Sequence, residues 1–421
     1  MTALRFMMVL AAGAVLLCHG ACGAQRAVAR TTAGPDSSQQ FAAYYPTAYG
    51  RGTRLPALFI MDPRGRGDLA LGLFRDAAEK YGYAVYSSFN TLSDGPLEPN
   101  VGAVNAFLAA VTADTLVDQR RLYLAGLSGT ARIAWSFLNE LPANFRGLLA
   151  SGAAPMLDSP TDRQPLNDGS VALCMSVGDA DFNFAEVHAA HEMLASLGLP
   201  VRVAYFQGLH GWPPAGRIDD ALAWFELRAM LGGARPIDSA WVDTRFTMER
   251  ARGDSLARAG QLAAAADAFS ELARDSRGWP GNELSQARSR ELEADPRVLH
   301  AGRTLDELDR RDMEGNAQLM LALSGVRKDP TLHDPTELAA RLGLPRLKQL
   351  AAAGDSLERP WATRQLARAQ VFLAFYEPRA YLEQNEAARA VLMLRTAALI
   401  QPLGPAQQAL LARAEGMLSR P

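Results

Sequence analysis

Leu122-Tyr-Leu-Ala-Gly-Leu-Ser-Gly-Thr-Ala-Arg-Ile-Ala134 decides the fold. Its apolar start, Leu122 to Ala125, reads as a short buried strand. Gly126-Leu127-Ser128-Gly129 breaks that run, and a helical pattern follows from Thr130 to Leu141. A strand, a sharp turn carrying a serine between glycines, and a helix make a nucleophile elbow. The serine sits there in a strained backbone conformation, and small neighbours let strand and helix approach each other. The usual pattern is Gly-x-Ser-x-Gly; here Thr130 takes the last place.

Working outward, two later segments have a related form. Ser170 to Val177 is an apolar strand candidate that runs into Gly178-Asp-Ala-Asp181-Phe-Asn183, with a helical pattern from Phe184 to Leu197. Val201 to Phe206 is a further strand leading to Gly208-Leu-His210-Gly-Trp212-Pro-Pro214, with an amphipathic helix from Asp219 to Leu231. Serine, acid and histidine thus each follow a strand, in the order Ser128, Asp181, His210. These residue types belong together chemically. A serine hydroxyl needs a base to take its proton, and an imidazole needs a carboxylate to fix its tautomer.

An oxyanion hole is also needed, because charge develops on the reacting carbonyl oxygen. Gly129 offers one N–H. The loop after the strand Ala57 to Met61, Asp62-Pro-Arg-Gly65-Arg-Gly67, offers Arg64 or Gly65 for the second. Plainer readings stand beside these. His210 fits a surface loop, Asp181 or Asn183 fits a helix N-cap, and Asp179 competes with Asp181 as the acid. The glycines at 65 and 67 fit a simple turn, and Trp212 fits a cleft wall or a core side chain.

Residues 41–232 resemble the α/β-hydrolase superfamily, in particular its compact dienelactone hydrolase-like and polyhydroxybutyrate-depolymerase-like esterases. The resemblance implies an α/β fold with a mostly parallel sheet and a serine hydrolase acting through an acyl-enzyme. It carries over Ser128, Asp181 and His210 as the triad and Gly129 as oxyanion donor. It calls for no metal and no cofactor, and for a small-molecule or polymeric ester as substrate.

The rest of the hydrolase region alternates as such a fold requires. Leu69 to Lys80 reads as a helix, Tyr81 to Tyr86 as a strand, Val101 to Thr112 as a helix and Gly147 to Ser151 as a strand. The loop Asn90 to Pro96 lies on the side where open α/β sheets bind ligands. Pro155 to Asn167 reads as a loop bordering the acyl pocket. With no long insertion for a lid, the sequence suggests an uncapped cleft.

The 421 residues carry a formal net charge of −2 and a 48% hydrophobic fraction. That gives enough apolar material for a sizeable core and no electrostatic case for nucleic acid. At the N-terminus, Arg5 precedes an apolar run from Phe6 to Cys18, too short to span a membrane. Cleavage after Ala24 gives a signal peptide of residues 1–24; a lipobox at His19-Gly20-Ala21-Cys22 gives a lipoprotein signal ending at 21. Both imply export from a bacterial cytoplasm, to the periplasm or outside, with the membrane touched only through a lipid on Cys22. Residues 25–40 read as a linker. Cys18, Cys22 and Cys174 make no disulfide framework. His188, His191 and Glu192 match no metal motif and read as a solvated helix face.

Composition changes after Leu231. Gly232 to Pro236 reads as a linker, and Ala, Leu, Arg and Glu dominate from Trp241 onward. Gly253, Leu256, Gly260, Ala265 and Phe269, with Pro280 beyond, fall at the spacing of one tetratricopeptide unit, and Ala390, Ala397 and Pro402 repeat it faintly. Residues 241–421 are therefore expected to be an all-α, tetratricopeptide-like domain that docks a protein partner, or a helical bundle with no ligand. Two functions compete: an exported serine esterase, and an idle hydrolase fold used as a scaffold. A prolyl-oligopeptidase-like peptidase is the enzymatic alternative, though only about 40 residues precede the hydrolase region where such enzymes carry a propeller.

Overall fold

The computed structural model describes residues 29–32, 38–157, 159–329, 331–355 and 358–419. The signal-peptide reading, with Cys22, lies outside these residues. The chain has an α/β-hydrolase fold followed by an all-helical region. Among the described residues, eight strands form one sheet: β1 Ala29–Thr32, β2 Gln40–Tyr44, β3 Leu55–Met61, β4 Ala84–Ser88, β5 Val117–Leu127, β6 Phe145–Ser151, β7 Ala172–Gly178 and β8 Val201–Phe206. Their order across the sheet is β1-β2-β4-β3-β5-β6-β7-β8. Strands β3 to β8 pair in parallel, and β1 and β2 run antiparallel at one edge. Residues 29–32, expected in a linker, thus form the edge strand.

Helices cover both faces, as a parallel sheet requires. They are α1 Gly67–Tyr81, α2 Glu98–Ala113, α3 Gly129–Glu140, the short α4 Gln164–Asn167, α5 Phe184–Ser196 and α6 Ala215–Leu231. Alternation along the strands divides the core in two. Phe59, Leu124 and Met175 face α2, α3 and α5 with Phe107, Trp135 and Val187. Leu58, Tyr123 and Cys174 face α1 and α6 with Phe74, Trp224 and Phe225. The parallel register brings the C-terminal ends of β5, β6, β7 and β8 level, pairing Leu127 with Ser151, Ser151 with Ser176 and Gly178 with Phe206. The turns that carry Ser128, Gly152, Asp181 and His210 therefore leave the sheet along one rim.

The helical region comprises α7 Ser239–Arg258, α8 Leu262–Asp275, α9 Asn282–Glu293, α10 Pro296–Lys328, α11 Pro335–Arg341, α12 Leu344–Ala353, α13 Glu358–Val371, α14 Glu377–Glu383, α15 Ala387–Ala398 and α16 Pro405–Leu418. Residues 372–376 join α13 to α14 as a π-helical turn. Its first hairpin extends the hydrolase core: Val242, Phe246, Ala265 and Phe269 share one apolar cluster with Trp224 and Phe225. It also covers the edge strand β8, where the Val203 N–H donates to Glu271 at 3.4 Å. Arg202 on β8 is buried between Asp275 and Glu249, at 2.6 and 3.1 Å. Blocking an exposed strand edge removes a template for pairing with other chains. The later helices, from Leu319 to Ala414, enclose a separate apolar core.

This packing overturns the solvated-face reading of His188 and His191. Both are buried, because α10 crosses the outer side of α5 and its Asp309 lies 2.5 Å from His188 Nδ1. Among the described residues no helix is long and apolar enough to cross a membrane.

Candidate active site

Ser128 stands between β5 and α3, at the N-cap of the helix, with φ 59° and ψ −129°. Among the described residues it is one of two non-glycine residues at positive φ. Such a conformation is costly and is kept only where the surroundings impose it. The surroundings here are specific. Ser128 N–H donates to the Ser151 carbonyl at 2.8 Å. A Cβ on Gly126 would lie 2.6 Å from Ala131 Cα, so only glycine lets α3 pass this close to its strand. A Cβ on Gly129 would lie 2.8 Å from Ser93 Cβ, which puts the 90–96 loop against the elbow. As the first residue of α3, Gly129 has an N–H with no intrahelical partner, at the positive end of the helix dipole.

Thr130, the departure from the usual pattern, is fully buried. Its hydroxyl accepts the Leu127 N–H at 3.1 Å and donates to the Met61 carbonyl at 2.5 Å. The threonine thus ties the elbow to the end of β3, a bond glycine could not make.

Asp181 lies in the turn after β7 and is fully buried. Both its oxygens lie 2.9 Å from His210 Nδ1, and Oδ1 also accepts the Asn183 N–H at 2.9 Å. With Nδ1 held by a carboxylate, Nε2 is the nitrogen left for proton transfer. The competing acid, Asp179, is exposed and accepts the Gly208 N–H at 3.0 Å, bracing the histidine loop from the acid loop. Asn183 is the N-cap residue of α5 by position, but its side chain donates to the Gly152 carbonyl at 2.8 Å. Gly152, at φ +62°, sits under the histidine: a Cβ there would meet His210 Cε1 at 2.9 Å and Nδ1 at 3.0 Å. It directly follows Ser151, whose carbonyl holds Ser128. The ring of Phe182 covers His210, with centroids 4.4 Å apart.

The turn after β3 is closed on itself. Arg64 N–H donates to Asp62 Oδ1 at 2.9 Å, and Gly65 N–H donates to the Asp62 carbonyl at 3.1 Å. Both N–H groups expected as second oxyanion donors are therefore engaged within the turn. Asp62 is the residue the sequence reading missed. It is fully buried and also accepts from Arg66 Nε at 2.9 Å and from Trp212 Nε1 at 3.0 Å. Burial pushes its carboxyl up, but the bonds from Arg66, Trp212 and the Arg64 N–H outweigh that and hold it below its ordinary value. Through Trp212, which also packs edge-on against Phe74, Asp62 links this turn to the His210 loop. The available signal was an aspartate directly ending an apolar strand.

The cleft is not open on all sides, as the sequence suggested. The continuous helix of residues 358–383 lies along its rim: Arg364 donates to the Asp179 carbonyl, and the Tyr376 hydroxyl donates to Asp94 at 3.3 Å.

No protein-family model matches this chain, and no curated protein matches it by sequence. Solved structures similar to it include Est1E from Butyrivibrio proteoclasticus, 11% identical, with a TM-score of 0.39 over 48% of this chain and 99% of that one. The feruloyl esterase module from Clostridium thermocellum, complexed with sinapinate, is 13% identical, with a TM-score of 0.38 over 47% and 87%. The fluorophosphonate-binding serine hydrolase F of Staphylococcus aureus is 14% identical, with a TM-score of 0.36 over 44% and 92%.

Proposed function

We propose that this chain is an exported serine hydrolase that cleaves carboxylic esters through an acyl-enzyme. The observation that carries the reading is the strained Ser128 on a strand-to-helix turn, one hydrogen bond away from the strand end over which the His210–Asp181 pair is packed. In this mechanism Ser128 Oγ attacks the ester carbonyl while His210 Nε2 takes its proton. Asp181 stabilises the imidazolium without itself taking the proton. The Gly129 N–H, with the α3 dipole behind it, receives the charge on the carbonyl oxygen. His210 then protonates the departing alcohol. A water, deprotonated by the same histidine, releases the acid.

Export through residues 1–24, with or without a lipid on Cys22, belongs to the same proposal, as does a tetratricopeptide-like role for the 248–274 hairpin in docking a partner. The direct test is labelling by a fluorophosphonate probe, which reacts with serines activated in this way. Wild type is expected to label and Ser128→Ala is expected not to, with kcat on a p-nitrophenyl ester falling by at least about 10³-fold. A well-folded wild type that never labels would leave the hydrolase fold as a scaffold.

A further inference from the structure

Two arginines of the helical region reach into the turn that carries Asp181. Arg364 and Arg368 lie one helical turn apart on α13, so both point the same way. Arg364 is 2% and Arg368 9% exposed. Each donates to a main-chain carbonyl of the acid loop: Arg364 Nη1 to Asp179 at 3.2 Å and Arg368 Nη2 to Phe182. These two carbonyls flank Ala180 and Asp181. Arg364 also stacks on Phe184, its guanidinium carbon 4.6 Å from the ring centroid, just beyond the loop.

The arginines are themselves held. Asp312 on α10, almost fully buried, lies 2.6 Å from Arg364 Nε. Its carboxylate accepts from Gln365 at 2.7 Å and its carbonyl from Arg368 Nη1 at 3.1 Å. Asp312 thus holds Arg364 through its carboxylate and Arg368 through its carbonyl, and each guanidinium also reaches the acid loop. Burial pulls Arg368 below its ordinary value, against the charges of Asp312, Glu186 and Asp181. Keeping a cation there is expensive unless its bonds are needed.

We propose that Arg368, assisted by Arg364, is a positioning residue of the hydrolase site, so that the helical region is part of the catalytic unit. This rests on the serine-hydrolase reading. Arg368 touches neither substrate nor the reacting atoms. It fixes the Phe182 carbonyl, and the same residue's ring lies on His210. Fixing the loop at Asp179 and Phe182 keeps the Asp181 carboxylate in register with His210 Nδ1. Release of the loop lets the pair separate, and the imidazolium that forms during attack loses its partner.

The test compares wild type with Arg368→Met, which keeps the side-chain volume and removes the donors, and with Arg368→Lys, which restores one charged donor. With p-nitrophenyl acetate, Arg368→Met is expected to lower kcat about 10- to 100-fold with little change in KM. Arg368→Lys should recover most of that loss. A substrate-free readout runs beside these: the downfield His210 Nδ1–H proton resonance, assigned by its loss in His210→Gln. It should weaken or shift upfield in Arg368→Met and return in Arg368→Lys. Unchanged kcat and proton resonance in folded Arg368→Met would overturn the proposal. So would a kcat loss with an unmoved resonance. If wild type neither labels nor hydrolyses, yet the resonance responds as described, the positioning role stands and the hydrolase reading has failed. Should Arg368→Met not fold, Arg368→Lys against Arg364→Lys carries the same comparison, with partial loss expected for each and wild-type behaviour in both overturning the role.

Discussion

Individual backbone positions carry more of this site than its polar side chains do. Gly152 is the sharpest case. At φ +62° any side chain is strained, and a Cβ would push directly on His210. Gly152→Ala is therefore expected to displace the imidazole and lower kcat about 100-fold or more, with an unchanged circular dichroism spectrum; wild-type kcat would show that the ring is not held where the mechanism needs it. Thr130 makes a different point. Its hydroxyl joins the Leu127 N–H to the Met61 carbonyl. Thr130→Val keeps the shape but strands two buried main-chain groups, so unfolding stability in urea should drop by about 1–3 kcal/mol. That residue stood out in the sequence only as a flaw in the Gly-x-Ser-x-Gly pattern. Its value depends on a carbonyl 69 residues away in the chain, and no local pattern records such a partner.

At the scale of elements, close approach sets what each helix tolerates. In the α7–α8 hairpin a Cβ on Gly253 would lie 2.6 Å from the Phe269 ring, whereas Gly302 on α10 meets nothing within 4 Å. Gly253→Val should cost about 1–3 kcal/mol by overpacking. Gly302→Ala should stabilise by roughly 0.5–1 kcal/mol, since only chain entropy changes there; urea unfolding of both variants checks the contrast. The α7–α8 hairpin was legible, because the helix break at Gly260 and the apolar spacing of Ala265 and Phe269 are local. The strands were legible for the same reason: Val201–Phe206 is a strand over the expected residues. Two things were not. Residues 29–32 have the composition of a linker yet pair with β2 as a strand. The helix α5 is covered on both sides, by the sheet and by α10, and periodicity cannot tell a water-facing stripe from one facing a second domain. Arg364 and Arg368 were invisible likewise, since their partners are carbonyls 185 and 186 residues away.

Over the whole molecule, the join between the sheet and the long helix α10 makes stability depend on pH. His188 on α5 is buried against Asp309. Burial lowers its pKa, but the bond to Asp309 and the charges of Asp309, Glu192 and Asp267 raise it more, so the net direction is upward from 6.5. The groups around it are Asp309 from α10, Glu192 at 3.9 Å on α5 itself, Asp267 from α8, and the rings of Phe184 and Tyr205. None of these is a cation that would oppose the proton. A folded-state pKa above the unfolded one means that the protonated pair contributes its full stability below about pH 6.5, and that this contribution is lost as pH rises through the folded value. The join between α5 and α10 should therefore hold more firmly at pH 6 than at pH 8. Melting temperatures taken across that window should fall with pH in wild type and fall less steeply in His188→Gln. An equal slope in both would assign the pH dependence to other groups. Since α10 also carries Asp312, which anchors the two arginines on the acid loop, the same loosening would reach the site. Any decline of activity toward pH 8 that tracks the melting curve, and that His188→Gln flattens in parallel, would connect the two.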